Sequence, residues 1–523
     1  MNLTAFATLR HSSNKTLKHQ SLTALPFAGT RAPVCSAPRR FWLRTCEHGH
    51  RFGEILTRPE SRTDNQAVSH LVADVRSPVL RRSFRKAFPI AARGEGVYIW
   101  DSEDNRYLDF AASAVVNFIG HGVKEIGAAM AEQAERLEFV HSSHFTTDVA
   151  EAYAADLLAF AGPAFEGGAV YFTSGGSEST ETALKLARQY QVEVGQPGRS
   201  QTVSRQQSYH GSTLGALSVS GNRRRRELYV PMVREFAHIG VPFCYRCQYD
   251  CKDGCRNCGE QYAAELERAI AASNEEVAGF IFEPVSGATL GAVVPPPGYL
   301  QRIAEICTRH GVLLIADEVM TGMGRTGRNF AVNHWDIVPD ILIAAKGLSS
   351  GYAPLGAVIA NAKVCDAIRS GSGSFLHGFT YNAHPVCVAA GRAVLRCIQL
   401  QHLVERASDA HPGSAAAKLR TALQQLWKCE AVGDVRGIGL LWAVEFVANR
   451  ESKEPYPAER GFSARVAQAC AKRGVLVYPM QGSFDGISGD HILIAPPAII
   501  TEQQIDWSIE QVGEGINEAQ GSI

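Results

Sequence analysis

The sequence predicts an α/β protein built on a mostly parallel sheet, and three observations carry the prediction. From about residue 125 to 375, short apolar runs alternate with longer stretches of helical period. Four of those runs end in polar residues with distinct chemistry. The chain is 523 residues long, 45% hydrophobic and 20% charged, which is ample material for a large core and for two or three domains.

Composition removes several function classes. Lys plus Arg and Asp plus Glu both total 52, so no net charge favours nucleic acid or an acidic membrane. No apolar run approaches the roughly 18 residues of a membrane-spanning helix. Thirteen Cys in so long a chain are too sparse for a disulfide scaffold and point to a reduced compartment.

Taken in order, residues 1–61 stand apart. No acidic residue precedes Glu47, while Arg10, Lys15, Lys18, Arg31, Arg39, Arg40 and Arg44 are basic and Ser and Thr recur. That is the composition of a mitochondrial transit peptide; a disordered tail or a misplaced gene start is the alternative. No Met lies between Met1 and Met130, which favours translation of the extension. The division that follows is 62–124 and 376–523 for a smaller domain made from both ends of the chain, around a larger one at 125–375. Gly96 to Asp101 and Arg106 to Asp109 read as two strands joined by a polar turn.

The four run ends come next. Ala169 to Thr173 leads into Ser174-Gly175-Gly176-Ser177, Gly279 to Phe282 stops at Glu283, Val312 to Ala316 at Asp317, and Ile341 to Ala345 at Lys346. Ligands of open α/β sheets bind outside the carboxyl ends of the strands, so the four termini are expected around one crevice. The Gly-rich turn precedes a helix from about Thr180 to Gln189, whose N-terminus suits a phosphate; Ser177 could equally serve as an N-cap. No Lys follows at Walker spacing. Asp317 could pair with a protonated ring nitrogen, and Lys346 could form a Schiff base. Pyridoxal phosphate requires these three partners.

The run from Asp317 to Gly327 (DEVMTGMGRTG), followed by Pro339-Asp340 and Ala345-Lys346-Gly347, resembles the signature of class III pyridoxal-phosphate aminotransferases. The resemblance spans roughly Gly96 to Asp506. It implies the fold type I architecture, a seven-stranded, mostly parallel sheet with a small domain from both chain ends. It also implies roles. Lys346 holds pyridoxal phosphate covalently and moves the proton, Asp317 faces the pyridine nitrogen, and Val319 packs on the ring. Gly176 and Ser177 match the phosphate loop, Tyr209 the aromatic residue on the other ring face, and Glu283 a buried acid near the cofactor. Thr380 matches a residue that reaches the phosphate of a neighbouring subunit, so a homodimer is implied. The substrates implied are a small-molecule amine donor and a carbonyl acceptor.

Other readings stay open. A decarboxylase, racemase or aminomutase would use the same cofactor, and a silent binding protein would lack Lys346 or Asp317. Gly322-x-Gly324-x-x-Gly327 fits a dinucleotide fingerprint, but Asn329 to Trp335 and Pro339 are not the helix that a dehydrogenase needs there. Cys244-x-x-Cys247 and Cys255-x-x-Cys258, with Cys251 between, suggest zinc, but only seven residues separate the pairs, so they read as a surface loop of free thiols and no metal is assigned. His141 and His144 lack an acidic partner.

Departures from the family bear on substrate. Members acting on ornithine, acetylornithine or 4-aminobutyrate carry an Arg before the C-terminal proline pair and a Glu five residues after Glu-Pro. This chain has Leu493 and Ala288 at those positions, which resembles the ω-transaminase branch. Tyr478-Pro479-Met480 lies where some of that branch have a movable Arg, Arg436 sits in a motif that is structural in relatives, and Met320 replaces a frequent Gln. Ser113, Val115 and Phe118 are candidates for lining the donor pocket.

Overall fold

The computed structural model describes residues 77–522, apart from 85, 250–254, 256, 257 and 275. The basic N-terminal segment and Cys251 lie outside the described residues. Strands β1 (Ala91–Glu95), β2 (Tyr98–Asp101) and β3 (Arg106–Asp109) open the fold. The middle of the chain supplies β4 (Ala169–Thr173), β5 (Gln201–Arg205), β6 (His238–Ile239), β7 (Val277–Phe282), β8 (Leu313–Asp317), β9 (Ile341–Ala344) and β10 (Gly356–Ala360). The last part supplies β11 (Val432–Ile438), β12 (Leu441–Phe446), β13 (Val475–Leu476), β14 (Tyr478–Gln481) and β15 (Asp490–Ile494).

The seven middle strands form one sheet in the order β4-β10-β9-β8-β7-β5-β6. All neighbours are parallel except β10, which is antiparallel to both β4 and β9. Two antiparallel steps restore direction, so β4, β7, β8 and β9 all end on the same rim. The expected crevice therefore exists.

Both faces of this sheet are covered. Strands β7, β8, β9 and β10 are buried along their whole length, as expected of a mostly parallel sheet between helix layers. Alternation along β8 sends Leu313 and Ile315 toward a core shared with Ala183, Leu186 and Ala187 of the helix Gly176–Glu193. Leu314 and Ala316 face the opposite core, with Ile303 and Ile306 of the helix Tyr299–His310.

The chain ends meet: β13 pairs in parallel with β3, Val475 opposite Leu108. Arg325 ties them to the large sheet. Its guanidinium is buried and donates to the carbonyls of Pro496 at 2.6 Å, Ala495 at 3.2 Å, Asn117 at 3.3 Å and Leu440 at 3.5 Å, while stacking on Phe118. The glycines around it are packing devices and not a nucleotide loop. A Cβ on Gly327, whose φ is +86°, would sit 2.4 Å from the Ser408 backbone. A short 3-10 turn at Ala331–His334, not a long helix, follows this segment. Among the described residues no helix is long and apolar enough to cross a membrane.

Arg325 sets a stability test. Replacing it with Leu strands several buried carbonyls at about 1–3 kcal/mol each, partly offset by removal of a buried charge, for an expected net loss of about 3 kcal/mol. Thermal melts should show a clear fall in Tm for Arg325→Leu and nearly the same fall for Arg325→Lys, whose single ammonium cannot span four carbonyls.

Candidate active site

The rim of the large sheet opens into a cavity of about 410 Å³. It is lined by the Ser174-Gly175-Gly176-Ser177 turn, Tyr209, His210, Glu283, Asp317, Val319, Met320 and Lys346, among others. Seven of the eight residues singled out from sequence are thus brought together. The eighth, Thr380, is exposed and does not line this cavity.

The Gly-rich turn differs from expectation. The helix begins at Gly176, four residues before the expected start, with Gly175 as N-cap and no side chain capping it. Ser177 is not the cap; its Oγ accepts from Ser212 N at 3.0 Å. The first backbone N–H groups of an 18-residue helix are therefore presented at the cavity, a site suited to a phosphate. Gly176 packs closely here: a Cβ would come within 3.2 Å of both Val319 methyls, which would have to give by a few tenths of an ångström.

Asp317 ends β8 with its carboxylate fixed at both oxygens. Oδ1 accepts from Val319 N at 3.1 Å, and Oδ2 lies 2.7 Å from His210 Nδ1. A carboxylate only accepts, so Nδ1 carries the proton of this contact. The sequence reading passed over His210. Its signal was its place beside Tyr209, but only the fold brings that loop against β8. Glu318 points away into the protein, accepting from Val332 N at 2.8 Å and from Thr321.

Glu283 follows β7 and is buried. Its Oε1 accepts from Gly287 N at 2.9 Å, whereas Oε2 has no partner among the described residues. Burial pushes its pKa up; His210 and Arg205 pull it down and Asp317 adds to the rise. Lys346 follows β9 with a left-handed backbone, φ +44°. Loss of water presses its pKa down to about 8, although Asp317 and Glu283 favour the cation; Arg225 and Arg325 add to the depression. An amine that is part neutral near pH 8 is a usable nucleophile and proton carrier.

The donor set fits pyridoxal phosphate. A bare helix N-terminus suits the phosphate, the anchored carboxylate of Asp317 suits a ring N–H, and Lys346 supplies a reactive amine. The unpartnered Glu283 Oε2 leaves a buried acceptor waiting for a polar group.

The wall formed by residues 112–118 departs from the sequence reading. Val116 lines the cavity; Ser113, Val115 and Phe118 do not. The reason is a turn in which Ala112, Ser113, Ala114 and Val115 all have positive φ, between 44° and 68°. This rotates Val115 into the core and sends Ser113 to Asp109, which accepts from its N at 2.8 Å and its Oγ at 2.7 Å. Leu493 and Ala288 pack in one apolar cluster with Val115, Val285, Met320 and Met480. Arg436 is committed elsewhere, to Asp434, Glu445 and the carbonyls of Gly291 and Leu290.

Comparison with known proteins agrees with this site. Residues 80–516 match the family model described as Aminotransferase class-III. An uncharacterized aminotransferase, YodT, of Bacillus subtilis is 38% identical over 84% of this chain and 97% of its own length. A probable gamma-aminobutyrate transaminase 3, mitochondrial, of Oryza sativa subsp. indica is 32% identical over 82% of each chain. Among solved structures, an (S)-enantioselective omega-transaminase from Thermomicrobium roseum superposes with a TM-score of 0.79 at 36% identity, covering 86% of this chain and 98% of the other. A PLP-bound amine transaminase from an uncultivated Pseudomonas species gives 0.77 at 33% identity, over 85% and 98%. With the anchored carboxylate, the depressed lysine and the bare helix terminus at one rim, the chain belongs to the class III aminotransferases, which carry out pyridoxal-phosphate-dependent transamination.

Proposed function

We propose that this cavity moves an amino group from an amine or ω-amino acid donor to a keto-acid, aldehyde or ketone acceptor in two half-reactions, with Lys346 as covalent anchor and proton carrier. The observation that carries the reading is the Lys346 amine, depressed to about 8 and sharing the cavity with the fixed Asp317 carboxylate. Bound pyridoxal phosphate supplies the electron-withdrawing ring that lets the donor carbon give up a proton. Asp317, held by His210 and the Val319 N–H, presents a fixed acceptor where a ring N–H is to be held. Lys346, once displaced, is a base of the right strength to take a proton from carbon and return it. Val319 and Tyr209 supply the apolar and aromatic surfaces of the slot, and Gly176 with Ser177 the phosphate seat. Glu283 offers its unpaired oxygen as a further acceptor.

The substrate reading rests on two features. The apolar cluster around Leu493, Ala288 and Met320 favours donors without a carboxylate to bind. For acceptors that carry one, Arg225 is the available cation. Its guanidinium lies 4.2 Å from the Tyr209 ring centroid and its charge acts on Lys346. Arg325 and Arg436 are already spent on carbonyls and carboxylates.

Three further points extend the proposal. Exposed Thr380 and its exposed neighbours Leu376 and Tyr381 support a homodimer in which each copy reaches the other's phosphate seat. The pairing of β3 with β13 supports a small domain from 62–124 and 376–523 around a large one at 125–375. The basic, acid-free start of the chain supports import into mitochondria.

Four outcomes test the proposal. Lys346→Ala should lower turnover by at least about a thousandfold. In the cofactor-free wild type, acylation of Lys346 followed by peptide mass spectrometry should rise through about pH 8, because the cation below that pH is unreactive; a midpoint at the ordinary lysine value would remove the assignment. A simple primary amine should exceed 4-aminobutyrate in kcat/KM with a shared keto-acid acceptor, since losing a charged partner costs about 1.5–3 kcal/mol, roughly tenfold to over a hundredfold. Arg225→Gln should raise KM for the keto acid by a similar factor and leave the half-reaction with the simple amine nearly unchanged; equal losses in both would assign Arg225 a purely structural role.

A further inference from the structure

The insertion between β6 and the helix Cys258–Ala272 carries two Cys pairs. The sequence alone suggests a surface loop, but Cys255 and Cys258 are buried and Cys244 is half-buried. The three thiols converge, with Sγ atoms of Cys244, Cys255 and Cys258 all within 4.8 Å of one another. Cys247, in the same pair as Cys244, interacts electrostatically with the Cys244 thiol, and its sulfur is 3.7 Å from the Tyr262 hydroxyl. None of these residues lines the active-site cavity.

We propose that Cys244, Cys255 and Cys258, with Cys247 as fourth ligand, form a structural zinc site. Tetrahedral thiolate coordination at about 2.3 Å sets sulfur atoms about 3.8 Å apart, so the observed cluster needs a contraction of about 1 Å to close on the ion. The short spacer is no obstacle here. Cys255 has a left-handed backbone, φ +63°, and Cys258 begins a helix, so the second pair folds back against the first. A divalent cation at the centre of the cluster would bind four thiolates and release four protons. The helix N-terminus at Cys258 favours the anion, and the Tyr262 hydroxyl can donate to Cys247.

The surroundings hold the loop in place for such an ion. Gln248 N donates to the Tyr262 hydroxyl at 3.1 Å, and Gln248 Nε2 donates to Glu265 at 2.7 Å. Arg246, inside the first pair, reaches Glu445 at 2.7 Å, and Glu445 also pairs with Arg436, which holds the carbonyls of Leu290 and Gly291. The ion would therefore pin a loop that braces the segment after Glu283. This inference stands independently of the transaminase mechanism.

The test uses the full-length holoenzyme purified without chelator. Elemental analysis should find about one zinc per chain, absent from a Cys255→Ser/Cys258→Ser double variant and retained in Cys397→Ser. Cobalt substitution should give thiolate charge-transfer and tetrahedral d–d absorption. In wild type, titration with a mercurial should release zinc in step with the cluster thiols, a measurement that holds even if the double variant does not fold. Chelation should lower Tm by about 5 °C or more. Zinc below about a tenth per chain, zinc retained by a folded double variant, a disulfide among these residues, or iron with acid-labile sulfide would each overturn the assignment.

Discussion

A sheet covered by helices on both faces has no room for ionisable side chains along its strands, so they collect where the strands stop. That constraint organises the whole molecule. The strands β7 and β9 are buried and apolar throughout, with Glu283 and Lys346 following within one or two residues, and β8 is buried and apolar until its last residue, Asp317. The same burial that stabilises the sheet removes water from its rim. There the two effects separate by charge type: loss of water raises the pKa of Glu283 and lowers that of Lys346, while Asp317 is kept as an anchored acceptor by donors on both oxygens. Fold and reactivity have one physical origin here.

Arginines do the joining around this rim. Arg205 donates to the Glu283 carbonyl, Arg325 to four carbonyls from distant segments, and Arg436 to two carbonyls behind the apolar wall. A planar guanidinium with five donors can satisfy several inward-facing carbonyls at once, where loops from different parts of the chain meet without a common sheet. Arg325 also places positive charge near Lys346, which disfavours its cation. Arg225, by contrast, rests on the aromatic face of Tyr209.

Much of this was legible in the chain itself, and the reasons for the rest are specific. Lys346, Asp317 and Glu283 announce themselves because each terminates an apolar run, a local pattern. His210 does not, since its importance arises from a loop meeting β8 across 107 residues of sequence. Arg225 hides in Arg223-Arg224-Arg225-Arg226, a run that reads as a solvated face. The helix starts at Gly176, a residue that normally disfavours helix, with its Cα packed close to the Val319 methyls. Val116 displaces its neighbours at the cavity wall because alternation rules assume ordinary backbone, and the Ala112–Val115 turn is left-handed.

That turn carries an evolutionary consequence. Each L-residue in the left-handed region costs about 1–2 kcal/mol, and four occur in succession, one of them β-branched. Glycine at any of the four would relieve that cost against about 0.5–1 kcal/mol of added chain entropy, so fold robustness alone would drive these positions toward glycine. Ser113, held by Asp109, and Val115, packed against Leu493's cluster, instead keep the backbone stiff beside Val116 at the cavity wall. The segment is thus a place where selection for thermal endurance and selection for a well-defined reaction chamber pull in opposite directions.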